Sequence, residues 1–379
     1  ILYPNYNDPL FNIKISEKKE FHDTTYDGKI YDVQTKGDEL CNTPFELNPH
    51  QKFVRNFLSF QTPYNSLLLY HGLGTGKTCS AISVAEEMRD YLKQVNNSRR
   101  IIVVASPNVQ ENFKLQLFDE TKLKKENGFW NIRSCTGNKF LKEINPMNMK
   151  DQNKRKVINR VKNQIIKQYY LFMGYIGFAN YIDKMSSLKR EIKDQNKRKV
   201  LVQKKLEKIF NNRMIIIDEI HNIRMTEENK NKLVANKLSF LVENVKYMRL
   251  LLLSATPMYN TYKEIIWLLN LMNKNDNRSI VKQSDVFNSD GSFKIDNQTG
   301  EEIGKKLLIQ KATGYVSFVR GENPYTFPYR IFPALFDNTR TFYRFADNEN
   351  RFIRNYPEKQ MNGLGINPLE HVDVYLSSI

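Results

Sequence analysis

Eight residues, His71-Gly-Leu-Gly-Thr-Gly-Lys-Thr78, have the types and spacing to hold a chain of phosphates. Gly72, Gly74 and Gly76 carry no Cβ, so their backbone N–H groups can close around phosphate oxygens at the positive end of a following helix. Lys77 reaches the outer phosphates in such a loop, and the Thr78 hydroxyl is placed to ligate Mg²⁺. The strict pattern begins with Gly; the first position here is His71. A second chemical set, Asp218-Glu-Ile-His221, closes the apolar run that starts at Met214. Phosphoryl transfer needs one carboxylate for the metal and another to orient or deprotonate water, roles that suit Asp218 and Glu219. Paired carboxylates at the end of a buried strand are costly without a cation, so the pair itself argues for Mg²⁺. Ser254 and Thr256, in Ser254-Ala-Thr-Pro257, could hydrogen-bond those carboxylates and pass nucleotide state to another surface, or simply cap a helix. Ser106 and Asn108 follow another apolar run and read as ligand contacts at a strand end, as a helix cap, or as both. Gln51 lies near the start of a short helix before the glycine loop. Its amide could donate to and accept from an adenine edge, and the bland alternative is a first-turn surface residue.

Four apolar runs must position these groups: Ser66–Tyr70, Ile101–Ala105, Met214–Asp218 and Arg249–Leu253. Runs of this kind suit parallel strands buried on both faces. After the glycine loop, Ala81, Val84, Ala85, Met88 and Leu92 recur at helical spacing, which predicts a helix over Cys79–Lys93. Strands with a polar set at each carboxyl end, alternating with helices, describe an α/β fold with one parallel sheet and its site along one edge.

The chain has 379 residues and a formal charge of +17, which suggests two or three units and a polyanionic partner, nucleic acid before membrane. No run of 18 or more apolar residues occurs, so a soluble protein without a membrane partner is expected. Residues 139–212 hold 19 Lys and Arg against 6 Asp and Glu. They read as basic amphipathic helices around an apolar centre, Tyr169–Tyr181, either an electrostatic footprint for phosphates or a solvated insertion. The octapeptide Lys-Asp-Gln-Asn-Lys-Arg-Lys-Val occurs twice, at Lys150–Val157 and Lys193–Val200, and is read as two helix starts. Cys41, Cys79 and Cys135 are far apart and are expected to be reduced thiols without a zinc site. Residues 1–47 read as an irregular arm with Tyr3, Tyr6, Phe11 and Phe21 as packing points.

Taken in order, Gln51, the glycine loop, Ser106-Pro107, Asp-Glu-Ile-His and Ser-Ala-Thr resemble the Q motif and motifs I, Ia, II and III of superfamily 2 helicases and translocases. Ser254–Asn260 is similar to motif III of the Swi/Snf-type duplex translocases. Ala105–Phe113 and Val319–Tyr329 resemble the helicase-like ATPases of large nucleocytoplasmic DNA viruses, a group that includes the poxvirus early transcription factor small subunit and nucleoside triphosphatase I. The resemblance covers roughly residues 45–330. It implies a P-loop RecA-like α/β lobe that uses ATP and Mg²⁺ to move on nucleic acid, with DNA favoured and RNA the other candidate track. Lys77 and Thr78 would bind phosphate and Mg²⁺, Asp218 the metal, and Glu219 would activate water. His221, Ser254 and Thr256 would couple hydrolysis to movement, and Ser106 and Asn108 would touch the nucleic-acid backbone. The viral transcription machinery is the implied partner, in the host cytoplasm, a viral factory or the virion.

The resulting division is an N-terminal arm (1–47), a first lobe (48–275) carrying the basic helical insertion (139–212), and a connector (276–379) toward a missing second lobe. No second series of parallel strands and no Gln-x-x-Gly-Arg-x-x-Arg sequence follows Thr261. Arg320, Tyr325, Phe327, Tyr329 and Arg330 read as base-stacking groups or as staples of the connector. A non-catalytic docking component that keeps the fold is the alternative function, against which the intact Lys77, Thr78, Asp218 and Glu219 stand. An unrelated P-loop enzyme such as a kinase ranks third.

Overall fold

The computed structural model describes residues 2–319 apart from 27, 30, 43–45, 73, 96–98, 189–192, 224–228 and 259–260. For 33, 40–42 and 229–232 it describes the backbone alone. Its strands are β1 (Ser66–His71), β2 (Ile101–Val104), β3 (Lys124–Glu126), β4 (Phe129–Asn131), β5 (Tyr170–Met173), β6 (Met214–Ile217), β7 (Arg249–Ser254) and β8 (Val316–Val319). The pair β3–β4 is a separate antiparallel hairpin, and the other six form one sheet in the order β5-β2-β6-β7-β1-β8. Every pairing in that sheet is parallel. Parallel strands need crossovers, and helices supply them, so the apolar side chains on both faces of β2, β6 and β7 are buried. Each fully buried Ile or Leu there contributes about 2 kcal/mol of transfer free energy. The site depends on register: Val104 lies opposite Ile217, Ile217 opposite Leu252, and Leu252 opposite Leu68. All the strands therefore end on one edge of the sheet.

Four strands of the six-stranded sheet coincide with the four apolar runs, and its other two were not expected. Tyr170–Met173 lies in the apolar centre of the basic segment, for which no strand was expected, and it pairs with β2 residue for residue. An edge strand needs only one covered face, so Tyr-Leu-Phe-Met carries no long β-branched signature. Val316–Val319 falls in the expected connector and pairs with β1 at the other edge of the sheet. Arg320, Tyr325, Phe327, Tyr329 and Arg330 lie outside the described residues.

The arm contains three short helices, Phe11–Ser16, Lys19–His22 and Val33–Asn42, where irregular chain was expected. Tyr6, Phe11 and Phe21 are buried, and Tyr6 stacks on Tyr315 with ring centroids 4.6 Å apart. Tyr3 donates its hydroxyl proton to Glu20 at 2.6 Å. The cysteine expectation is corrected, because Cys79 and Cys135 are joined in a disulfide with Cα atoms 5.2 Å apart. Separation of 56 residues hid the pair in the sequence; the fold lays the segment after β4 against the first turn of the Lys77–Gln94 helix.

The two octapeptide copies do begin helices, but two residues out of step. In the second copy Asp194 caps the helix Gln195–Phe210 by accepting from the N–H groups of Asn196 and Lys197. In the first, the equivalent Asp151 has φ 56° and donates its N–H to Gly128, and Asn153 caps Lys154–Arg160 instead. Contacts with the β3–β4 hairpin override the shared local preference.

Candidate nucleotide-binding edge of the sheet

β1 runs into the glycine loop and the loop into the 18-residue helix Lys77–Gln94. Gly74 and Gly76 have φ 75° and 78°, the left-handed region that lets the loop turn and aim its N–H groups inward. At Gly76 a Cβ would also collide with the Gln51 amide. Thr75 ties the loop by donating to the Gly72 carbonyl at 2.8 Å. Lys77 Nζ folds back over the turn, 2.9 Å from the His71 carbonyl oxygen and 3.3 Å from that of Gly72. Burial holds the Lys77 ammonium below the usual lysine range, and Glu219 and Asp218 push it back up.

His71, in place of the expected first glycine, is fully buried, and its Nε2 lies 2.9 Å from Ser317 Oγ on β8. Burial, with His50 and Lys77 nearby, drives its pKa down to about 3, so the ring is neutral at pH 7. A neutral ring adds no charge beside the phosphates. Its place is set by β8, which the sequence reading did not assign to the sheet.

Gln51 is also buried, and both ends of its amide have partners: Oε1 accepts from Asn48 N at 2.9 Å and Nε2 donates to the Gly76 carbonyl at 3.1 Å. It thus closes a capping box on the helix Pro49–Phe57 and holds the glycine loop. His50 Nε2 lies 2.9 Å from the Thr75 carbonyl oxygen and supports the loop from the same helix.

Two strands away, Asp218 and Glu219 follow β6. The Asp218 N–H donates to Val104 O at 3.0 Å, and the Glu219 N–H donates to Asp218 Oδ1 at 2.9 Å. Asp218 is 6% exposed, and desolvation first, then the Glu219 charge, raises its pKa to about 6. Glu219 has φ 50° and ψ 55°, a left-handed conformation that costs a non-glycine residue roughly 1–2 kcal/mol. That turn aims its carboxylate back toward His221 and Ser254. His221 Nδ1 lies 2.9 Å from Ser254 Oγ and 3.2 Å from Glu219 Oε2, and Ser254 Oγ accepts from the Thr256 N–H at 3.0 Å. The groups expected to couple are therefore in one hydrogen-bonded series across the ends of β6 and β7.

Tyr175, unnoticed in the sequence, begins the helix Tyr175–Ser186 after β5. Its hydroxyl donates to the Asp218 carbonyl at 2.9 Å and accepts from Asn222 Nδ2 at 3.3 Å. The signal is a tyrosine just past a strand end, invisible without β5, which the apolar centre Tyr169–Tyr181 does not announce as a strand. Ser106 and Asn108 sit beyond the end of β2, at the start of the helix Pro107–Leu117. Ser106 makes no side-chain cap, Asn108 is exposed, and neither is brought to the carboxylates by a direct bond.

The donor set can be tested for a metal. Two adjacent carboxylates, one buried with its pKa raised, face the Lys77 cation. Thr78 stands in the first turn of the loop helix. A hydroxyl and a carboxylate oxygen suit a hard divalent cation, which would supply the missing positive charge. These residues fit such an ion.

A six-stranded parallel sheet, with a glycine loop after one strand and paired carboxylates after another two places away, defines a RecA-like P-loop lobe. The model of the SNF2-related domain family matches residues 50–310. A protein of Acanthamoeba polyphaga mimivirus named as a candidate ATP-dependent RNA helicase is 26% identical over 87% of this chain and 28% of its own length. A candidate helicase of Frog virus 3 is 28% identical over 76% of the chain and 26% of its own length. The early transcription factor large subunit homolog of African swine fever virus is 24% identical over 76% and 28%, respectively. The chain thus spans about a quarter of the length of these relatives. It belongs to the SNF2-related domain family of superfamily 2 helicase-like proteins, as its motif series implies.

Proposed function

We propose that this chain is the nucleotide-binding lobe of an ATP-dependent nucleic-acid motor serving viral transcription. One observation carries the reading: Lys77, Asp218, Glu219, His221 and Ser254 lie along one sheet edge, where Asp218 accepts from the Glu219 N–H, His221 pairs with Ser254, and Lys77 feels the charge of both carboxylates. The loop N–H groups of Gly72, Gly74 and Gly76 and the Lys77 ammonium bind the phosphates of ATP. Thr78 and Asp218 hold Mg²⁺, which supplies positive charge to the phosphates when bound. Glu219 orients the attacking water, its strained backbone keeping the carboxylate at the strand end. His221, Ser254 and Thr256 report the state of that carboxylate to β7. Gln51 fixes the loop, and reaching an adenine edge would require it to leave Asn48. Ser106 and Asn108, open at the end of β2, contact the nucleic-acid backbone.

On this reading residues 48–275 together with β8 form the lobe, 1–47 are an N-terminal arm packed on it, and the rest of 276–379 is a connector. Duplex DNA is the favoured track. The relatives' names support transcription as the setting and a viral factory or virion as the place. Within the described residues no helix is long and apolar enough to cross a membrane.

The test uses the full-length protein. Nucleic-acid-stimulated ATP turnover is expected, and Lys77→Ala or Glu219→Gln should remove it, the latter with nucleotide binding retained. Stimulated turnover unchanged in both variants would refute the assignment.

A further inference from the structure

Beyond the nucleotide edge, the β3–β4 hairpin and residues 138–157 enclose a cavity of about 340 Å³. Its walls include the rings of Phe129 and Trp130, the Met149 thioether and the side-chain amides of Asn127, Asn148 and Gln152. We propose that this cavity receives an unstacked base of single-stranded nucleic acid, with the flanking phosphates on Lys150 and Lys154.

The pocket is built, not a chance gap. The Trp130 indole N–H donates to the Gln152 carbonyl at 2.8 Å, and the Asp151 N–H donates to the Gly128 carbonyl at 2.9 Å. Asn145 holds the opposite wall: its Oδ1 accepts from Met149 N at 2.9 Å and from Gln152 Nε2 at 2.8 Å. These bonds keep Gln152 and Asn153 of the first octapeptide out of the helix that its twin begins at Gln195. The second copy, with no hairpin against it, runs into helix from Gln195.

The chemistry of the walls selects the ligand. Lys150 Nζ lies 5.7 Å from the Phe129 ring centroid, and Lys154 Nζ lies 5.9 Å from that of Trp130. Neither has a carboxylate partner among the described residues, whereas the neighbouring Lys125 pairs with Asp151 at 2.5 Å. The amides of Asn127 and Asn148 make no hydrogen bond among the described residues and can meet base edges, which offer donors and acceptors together. Met149, in the cavity wall, is 59% exposed. Flat apolar walls, open amides and lysines without an ion-pair partner among the described residues match a chain of aromatic bases on a phosphate backbone, the pattern of stacking platforms for single strands. A duplex keeps its bases stacked and cannot enter.

Tryptophan emission tests this directly, because the chain has two tryptophans and Trp267→Phe leaves Trp130 as the single reporter. The probe is an oligodeoxythymidylate of about 12 nucleotides, within the range of single-strand site sizes. Binding should quench Trp130, and a duplex of equal length should not. Lys150→Ala with Lys154→Ala, both exposed, should weaken binding about tenfold at low salt and reduce the salt slope by about 1.4, at about 0.7 per phosphate contact on a single strand. Trp130 emission unchanged while the labelled oligonucleotide binds by anisotropy, no binding at all, or equal affinity in the double lysine variant would each overturn the proposal. The inference is separable from the motor reading: Lys77→Ala should retain the quench, and the lysine variants should retain nucleotide binding.

Discussion

Replacing Asp218 by Asn should stabilise the divalent-free protein at pH 7.5 while removing ATP turnover. The carboxyl is 6% exposed, and its pKa rises from 3.8 to about 6 in the folded state. A raised carboxylate pKa means that the folded state binds more protons than the unfolded one, so stability falls as pH climbs from about 4 to about 6. At about 1.36 kcal/mol per pKa unit, holding the ionised carboxylate costs about 3 kcal/mol at pH 7.5 and about half of that at pH 5. Asparagine keeps an acceptor for the Glu219 N–H without the charge. Thermal unfolding in a chelator should place the variant above the wild type by a few degrees at pH 7.5, with a smaller gap at pH 5. Adding Mg²⁺ and nucleotide should raise the wild type and leave the variant nearly unchanged. A variant less stable than the wild type at pH 7.5 in chelator would show that Lys77 already neutralises Asp218, and the argument for a missing cation would fail.

Two more outcomes follow from individual contacts. Tyr175→Phe removes one hydrogen bond to the Asp218 carbonyl, worth about 1 kcal/mol, so steady-state turnover should drop about five- to tenfold with KM for ATP little changed. A large KM change with kcat intact would mean that Tyr175 serves nucleotide binding. Cys79→Ser should lower stability by about 4 kcal/mol under non-reducing conditions, the loop-closure value for a 56-residue separation, and by much less with reductant present. Equal losses in both conditions would point to packing at Cys79 instead of the bridge.

The sequence was most legible where one residue type does one job. β2, β6 and β7 are apolar on both faces, so their strands and the polar residues after them could be read directly. The glycine loop was legible because only glycine tolerates φ near 75° with backbone so close to a neighbour. Half-covered edge strands were not: Tyr170–Met173 was only part of an apolar centre between basic helices, and Val316–Val319 looked like connector. Everything that depended on those strands was lost with them, including Tyr175 behind Asp218 and Ser317 against His71. Gln51 was placed on the right helix, but its two partners come from opposite directions in the chain. No spacing rule encodes that. Glu219 in the left-handed region was equally hidden, since nothing in Asp-Glu-Ile-His marks a residue with positive φ.

The position of β7 has a consequence for how this lobe can change over time. It is the spacer between the strand carrying the glycine loop and the strand carrying the carboxylates, paired to both in continuous register. The gap is therefore two strand spacings, about 10 Å, and hydrogen-bond geometry fixes it, not side-chain size. The leucines of β1 and β7 and the isoleucines of β6 can drift among leucine, isoleucine and valine without moving Lys77 relative to Asp218. An inserted or deleted residue in β7 would shift the register and separate Ser254 from His221. A lineage can thus rewrite most of this core and keep its working distance, provided that one ladder is left uncut.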